Sequence, residues 1–172
     1  MRIVGVDPGM VRTGYGILED LGGELCVLEG GIVRGGDKSL PISERLSPIY
    51  DGIHALLEQY EPQAMALEEL YSHYNHPFTA VLMGHARGVI CLAAAQKGIP
   101  VFGYAPTQVK KSLTGSGRAT KSQIQMSIAS RLGLSAIPEP NDVADALAMA
   151  VCHWQMIRFN ENRMIMINKS KN

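Results

Sequence analysis

The chain has 172 residues, 46% of them hydrophobic and 19% charged, and its 16 basic and 16 acidic side chains cancel to zero. That length favours one domain with a proper buried core, and that balance argues against a disordered chain. No apolar run approaches the roughly 18–20 residues needed to span a bilayer, so no membrane role is expected. The start, "MRIVGVDPG", enters a strand at once, leaving no room for a signal peptide. Cys26, Cys91 and Cys152 are odd in number, far apart and set among apolar neighbours. Buried reduced thiols and a cytoplasmic location are expected of them, and without a Cys-x-x-Cys pair they suggest no metal site.

The zero total conceals a division. Ser72 to Pro138 contains no Asp or Glu but holds Arg87, Lys97, Lys110, Lys111, Arg118, Lys121 and Arg131. A charge run is often only a solvated surface. A stretch of 67 residues without an acid, carrying +7 against −7 for the remainder, points further, to a surface that faces phosphate.

In chain order, residues 2–7 (RIVGVD) are mostly apolar, as in a central strand covered on both faces. Gly14 to Leu18 and Leu25 to Arg34 predict two more strands joined by the "EDLGGE" turn, hence an antiparallel meander. Ile42 to Tyr60 places Leu46, Ile49, Ile53, Leu56 and Leu57 at helical spacing, with Pro48 predicting a late start or a kink. After Pro62, "QAMALEEL" predicts a fourth strand that ends in acid. His76 to Lys97 predicts a long helix stopped by Gly98 and Pro100, and "PVFGYAP" a fifth strand. A short helix over Gln108 to Leu113, a flexible "TGSGRAT" loop and a helix from Thr120 to Leu132, N-capped by Thr120, follow. Asn141 is expected to cap a final helix reaching about Phe159, with residues 160–172 a flexible tail. The whole predicts an α/β domain over 1–159, a five-stranded mixed sheet with helices on both faces and right-handed parallel crossovers. That order matches the ribonuclease H-like arrangement, in which strands one and four are central neighbours.

The carboxylates are the informative residues. Neighbouring strands lie about 4.8 Å apart, so the ends of strands one and four bring Asp7 together with Glu68 or Glu69. Side chains alternate across a sheet, so only one of that pair can face Asp7, and Glu68 is expected to be the one. Asp142 and Asp145 are three apart at the start of the last helix, on one face. Acids there also complement the helix dipole, for about 0.3–1 kcal/mol each. Four carboxylates arriving together from three elements would repel one another without a cation, and hard Mg²⁺ or Mn²⁺ suits oxygen ligands. Such a cluster can hold two ions about 3.5–4 Å apart, suited to hydrolysing a phosphodiester. His153 is expected to be a packing or polar surface residue, not a ligand.

"GVDPGMVRTGYG", "MALEELY", "GHARGV", "APTQVKKSLTGSGRATKSQ" and "DVADALAMAVCH", in this order over about residues 1–153, resemble the RuvC family of Holliday-junction resolvases. The resemblance implies a metal-dependent endodeoxyribonuclease that resolves four-way DNA junctions by paired symmetric nicks. It implies Asp7, Glu68, Asp142 and Asp145 as metal ligands and catalytic residues, with two Mg²⁺ ions per site or Mn²⁺ in their place. Lys110 and Lys121 match basic residues that assist the cleaved phosphate, and Lys111 and Arg118 are candidate DNA contacts beside them. Tyr71 matches an aromatic position that stacks on DNA, with Tyr74 a second candidate, while "SHYNH" departs from the family pattern. A homodimer, its face on the His76–Lys97 helix, and the branch-migration complex of RuvA and RuvB proteins are the implied partners, in the bacterial cytoplasm. Competing readings are another ribonuclease H-like nuclease acting on RNA or RNA–DNA hybrid, and a junction-binding protein that does not cut. A nucleotide-cradling turn at Asp7 would need a second lobe, for which this length leaves no room.

Overall fold

The computed structural model of the chain describes residues 1–70 and 77–169. Strand β1 (Arg2–Asp7) pairs antiparallel with β2 (Arg12–Leu21), and β2 with β3 (Glu24–Arg34). Helix α1 (Ile42–Tyr60) carries the chain back, so that β4 (Ala64–Glu68) lies parallel to β1. Helix α2 (Pro77–Gln96) does the same for β5 (Val101–Tyr104), parallel to β4. The sheet order β3-β2-β1-β4-β5 puts strands one and four side by side at the centre, as expected. Helices α3 (Pro106–Thr114), α4 (Lys121–Arg131) and α5 (Asn141–Lys169) complete the chain.

Local chemistry accounts for most boundaries. The β2–β3 hairpin turns on Gly22 and Gly23, with φ of 71° and 112°, a region that only glycine enters freely. Asp20 Oδ1 accepts from the Gly23 N–H at 2.7 Å and holds that turn. Helix α4 starts on a full capping box: Thr120 Oγ1 accepts from Gln123 N, and Gln123 Oε1 accepts from Thr120 N. Helix α1 begins at Ile42 with Pro48 inside it, not late. The N–H that Pro48 lacks would have served the carbonyl of Glu44, an exposed residue that water can satisfy. Asn141 does not cap α5. It is the first helical residue, and its Oδ1 accepts from Gln125 Nε2 at 2.6 Å.

Two cores sandwich the sheet. Val4, Val6, Ile17, Met65 and Leu67 pack against α1 and α2, through Ile49, Ile53, Leu57, Ala86 and Ile90 among others. On the opposite face Ile3, Leu18, Ala66 and Tyr104 meet α3, α4 and α5. There α5 rests on glycines. A Cβ at Gly5 would stand 1.9 Å from Ala146 O, and one at Gly14 would stand 2.1 Å from Asp142 O. The backbone of α5 therefore lies directly on β1 and β2, closer than any side chain permits.

Three expectations change. Cys152 is buried but Cys26 is exposed, because β3 is an edge strand whose residues alternate between packing and solvent. Helix α5 runs on past Phe159 to Lys169, since no proline or glycine interrupts that stretch. Helix α2 is long and apolar enough over Phe78–Gln96 to cross a membrane by length and composition, which the sequence reading did not anticipate. In the fold it serves as one wall: Ala86, Ile90, Ala93 and Ala94 are buried against the sheet and α1, and Arg87 Nε donates to Glu68 O at 3.1 Å. Of the two placements expected for His153 the fold takes packing: it is buried, bonded to the Tyr104 hydroxyl through Nδ1 at 2.6 Å and set against the Phe102 ring.

Candidate active site

The register of β1 and β4 pairs Val6 with Leu67, so Asp7 and Glu68 stand side by side at the two strand ends. Their carboxyl groups share a hydrogen bond. Glu69 points away, its carboxylate lying against Gly103 on the other face and its N–H donating to Tyr104 O at 2.9 Å. Beyond Asp7 the chain turns at Pro8-Gly9. Buried Thr13 fastens that turn, its Oγ1 donating to Gly9 O at 2.9 Å and accepting from Gly9 N at 3.3 Å. A Cβ at Gly9 would lie 2.3 Å from Arg12 O, so the turn requires glycine.

The glycines under α5 set the second pair of acids above the first. Asp7, Glu68 and Asp145 line a cleft of about 220 Å³ together with Lys110, Lys121 and the apolar wall Val109, Ile124 and Met149. Asp142 lies one helical turn before Asp145. Burial, then the charges of Glu68, Asp145 and Asp142, push the Asp7 carboxyl up from 3.8 to about 8. Burial also raises Glu68, against the hydrogen bond from Asp7, which favours its ionised form. Both carboxyls are thus pushed toward their protonated forms, and the pair shares a hydrogen-bonded proton.

Two cations of the chain answer the remaining charge. Lys121 Nζ lies 2.9 Å from Asp145 Oδ2, and this contact raises the lysine's affinity for its proton. Arg12 Nε lies 3.3 Å from Asp142 Oδ2, an atom that is buried and receives no hydrogen bond. With Asp145 and Asp142 drawn to these partners, no three ligating side chains among the described residues stand close enough to hold an ion. The donor set nonetheless fits a hard divalent cation. All four groups are carboxylates, burial and mutual repulsion together push one of them toward its protonated form, and one oxygen is buried without a donor.

Lys110 lines the cleft, while Lys111 and Arg118 are exposed beside it. The remaining cations of the acid-free stretch pair within the chain: Arg87 on the Glu68 carbonyl, and Lys97 at the surface on Glu58 at 3.2 Å. Arg131 reaches the side chain of Gln155. The +7 block is thus not one phosphate-facing surface. The Thr114–Thr120 segment is a hydrogen-bonded turn anchored by buried Ala119. Tyr71, Tyr74 and the "SHYNH" stretch lie outside the described residues. Arg12 is the site residue that sequence reasoning missed. Its only signal was a basic side chain five residues after Asp7, across the turn.

Residues 3–153 match the family described as crossover junction endodeoxyribonuclease RuvC. The chain belongs to the RuvC family. It is 50% identical over 150 residues to the RuvC of Rhodopirellula baltica, covering 87% of this chain and 84% of that protein. With the RuvC of Desulforamulus reducens it shares 44% identity, over 90% of this chain and 94% of the other. Among solved structures, Thermus thermophilus RuvC in complex with a Holliday junction substrate superposes with a TM-score of 0.87 at 34% identity. That match covers 93% of this chain and 96% of the other. The yeast mitochondrial Holliday junction resolvase Ydc2 shares the fold, with a TM-score of 0.62 at 10% identity. The RuvC match runs from β1 into the first half of α5, so the ribonuclease H-like sheet and the carboxylate cleft both fall within it.

Proposed function

We propose that this chain resolves four-way DNA junctions by metal-dependent hydrolysis of phosphodiester bonds, acting in homologous recombination and repair in the bacterial cytoplasm. The observation that carries this reading is one cleft in which β1, β4 and α5 each deliver carboxylates, with Lys110 and Lys121 on its wall. Asp7, Glu68, Asp142 and Asp145 would hold two Mg²⁺ ions, with Mn²⁺ able to substitute. When bound, the ions supply an activated water and stabilise the leaving 3′-oxygen. Binding them requires loss of the proton that Asp7 and Glu68 share and release of Asp145 from Lys121 and of Asp142 from Arg12. Lys121 and Lys110, on the wall of the same cleft, would neutralise charge on the scissile phosphate.

Cutting two strands symmetrically takes two such sites, hence a two-fold dimer. Helix α2 supports that assembly. Its outer stripe exposes Val81, Gly84, Gly88 and Leu92, and a Cβ at either glycine would meet nothing in the chain itself. A helical glycine costs about 1 kcal/mol relative to alanine. Two in one exposed stripe make sense where a second helix approaches closely. The complex of RuvA and RuvB proteins would deliver the junction to this dimer.

The test is cleavage of a synthetic four-way junction in Mg²⁺ or Mn²⁺. The wild type is expected to make paired nicks, and Asp7→Asn to bind the junction while losing cleavage by about 10²-fold or more. Binding without cleavage by both proteins would favour a non-cutting junction binder. Cleavage of RNA or hybrid in preference to the junction would replace the substrate.

A further inference from the structure

Asp142 also borders a second groove, about 660 Å³, lined by Arg12, Lys38 and Arg45 together with the apolar Phe78 and Leu82. Its cations come from three separate segments: the start of β2, the β3–α1 loop and the first part of α1. Close backbone contacts fix these segments to one another. Gly35 N donates to Val11 O at 3.2 Å, and Gly36 N to Arg45 O at 3.1 Å. A Cβ at Gly35 would stand 2.2 Å from Met10 O, so the loop is pressed against the Asp-Pro-Gly turn.

The groove keeps a net positive charge, three cations against Asp142 and the nearby Asp37. Arg45 Nε is buried without a hydrogen-bond partner, and Lys38 is exposed with no ion pair among the described residues. Asp37 stands near both and offsets part of their charge, its carboxylate held in place by the N–H and hydroxyl of Ser39, at 2.8 and 2.6 Å. The one acid that lines the groove is Asp142, and Arg12 already covers it. So a fixed set of cations borders the carboxylates on the side of β2 and α1, while Lys110 lies on the side of α3 and Lys121 between them.

We infer that the groove of Arg12, Lys38 and Arg45 binds backbone phosphates of the DNA strand on the far side of the cleavage point. The cut strand then crosses the carboxylates between two basic banks, Lys110 and Lys121 on one and these three residues on the other. Arg12 sits at the boundary, and a phosphate that takes its guanidinium releases Asp142. This assignment rests on the junction-resolving reading of the same site.

The experiment is equilibrium binding of the full-length chain to a labelled four-way junction without divalent cation, from about 50 to 200 mM salt. Each phosphate contact contributes about 0.9 to the slope of log affinity against log salt. Lys38→Ala/Arg45→Ala is expected to lower that slope by about 1.8 and to weaken binding roughly tenfold at the lower salt. Lys38→Glu, at an exposed residue where folding is not at stake, is expected to weaken binding alone. Lys97→Ala, whose lysine pairs with Glu58 at the far end of α2, keeps the wild-type slope. A double variant that melts like the wild type and keeps its slope overturns the inference while leaving junction resolution intact, as does a Lys38→Glu variant that binds normally. A wild type that does not bind the junction removes the functional reading, and this inference with it.

Discussion

Asp7 stands under two opposing demands. Its place at the end of a central strand removes it from water, and three other carboxylates surround it, so alone it keeps its proton to about pH 8. The unfolded chain loses that proton near 3.8. A carboxyl whose folded pKa is raised contributes most to stability below its unfolded pKa, and that contribution is lost as pH climbs toward the folded value. Metal-free protein is therefore expected to melt at progressively lower temperature from about pH 4 to 8, and Asp7→Asn to remove most of that slope. Added Mg²⁺ should restore the melting temperature at the alkaline end, where the carboxylates are free to bind it. Calorimetry across this range decides the matter: equal slopes for wild type and Asp7→Asn would acquit Asp7 of holding the proton.

Helix α5 delivers Asp142 and Asp145 only because the strands beneath it carry no side chains at Gly5, Gly14 and Gly16. A Cβ at Gly14 meets backbone, 2.1 Å from Asp142 O and 2.5 Å from its carbonyl carbon, and backbone cannot swing aside. Gly14→Ala is expected to cost about 1–3 kcal/mol by overpacking, and to lift Asp142 off the site. At Gly30 the added carbon would meet one side-chain methyl of Val143 at 2.8 Å, which can give with a small shift where backbone cannot. Thermal melts and junction cleavage of the two alanine variants should therefore separate, with Gly14→Ala impaired in both and Gly30→Ala close to wild type. The distinction is geometric: both are glycines in the same sheet, and what differs is the rigidity of what lies above.

At the scale of the whole molecule, one cleft can attack one strand, and paired nicks require a second copy. Leu92 is half exposed on the outer stripe of α2, beyond reach of either core. Leu92→Glu is expected to convert a dimer to monomers in sedimentation while leaving the monomer fold and melting cooperativity intact. Cleavage by that variant should then fall with loss of simultaneous paired nicks, and an unchanged sedimentation coefficient would move the interface elsewhere. The charge of the molecule is also organised at this scale. A neutral total resolves into a carboxylate cleft flanked by cations from both halves of the sequence, not into one basic half and one acidic half.

Asp7, Glu68, Asp142 and Asp145 were legible in the sequence because strand and helix periods are local rules. A residue at the end of a parallel neighbour, or three places along a helix, has a known direction before any packing is considered. The Thr120 cap and the Gly22-Gly23 turn were legible for the same reason, each being settled within four residues. The reach of Arg12 to Asp142, the internal use of Arg87 and Lys97, and the exposure of Cys26 were not, since each depends on which distant segment or sheet edge it meets. Nor was the glycine floor, for in the sequence Gly5 and Gly14 differ in nothing from glycines that meet open space. Amino-acid order alone determined the elements, the sheet order and the acids. Only the tertiary structure decided which cations answer those acids and how closely α5 could descend, because both are set by contacts between residues far apart in the chain.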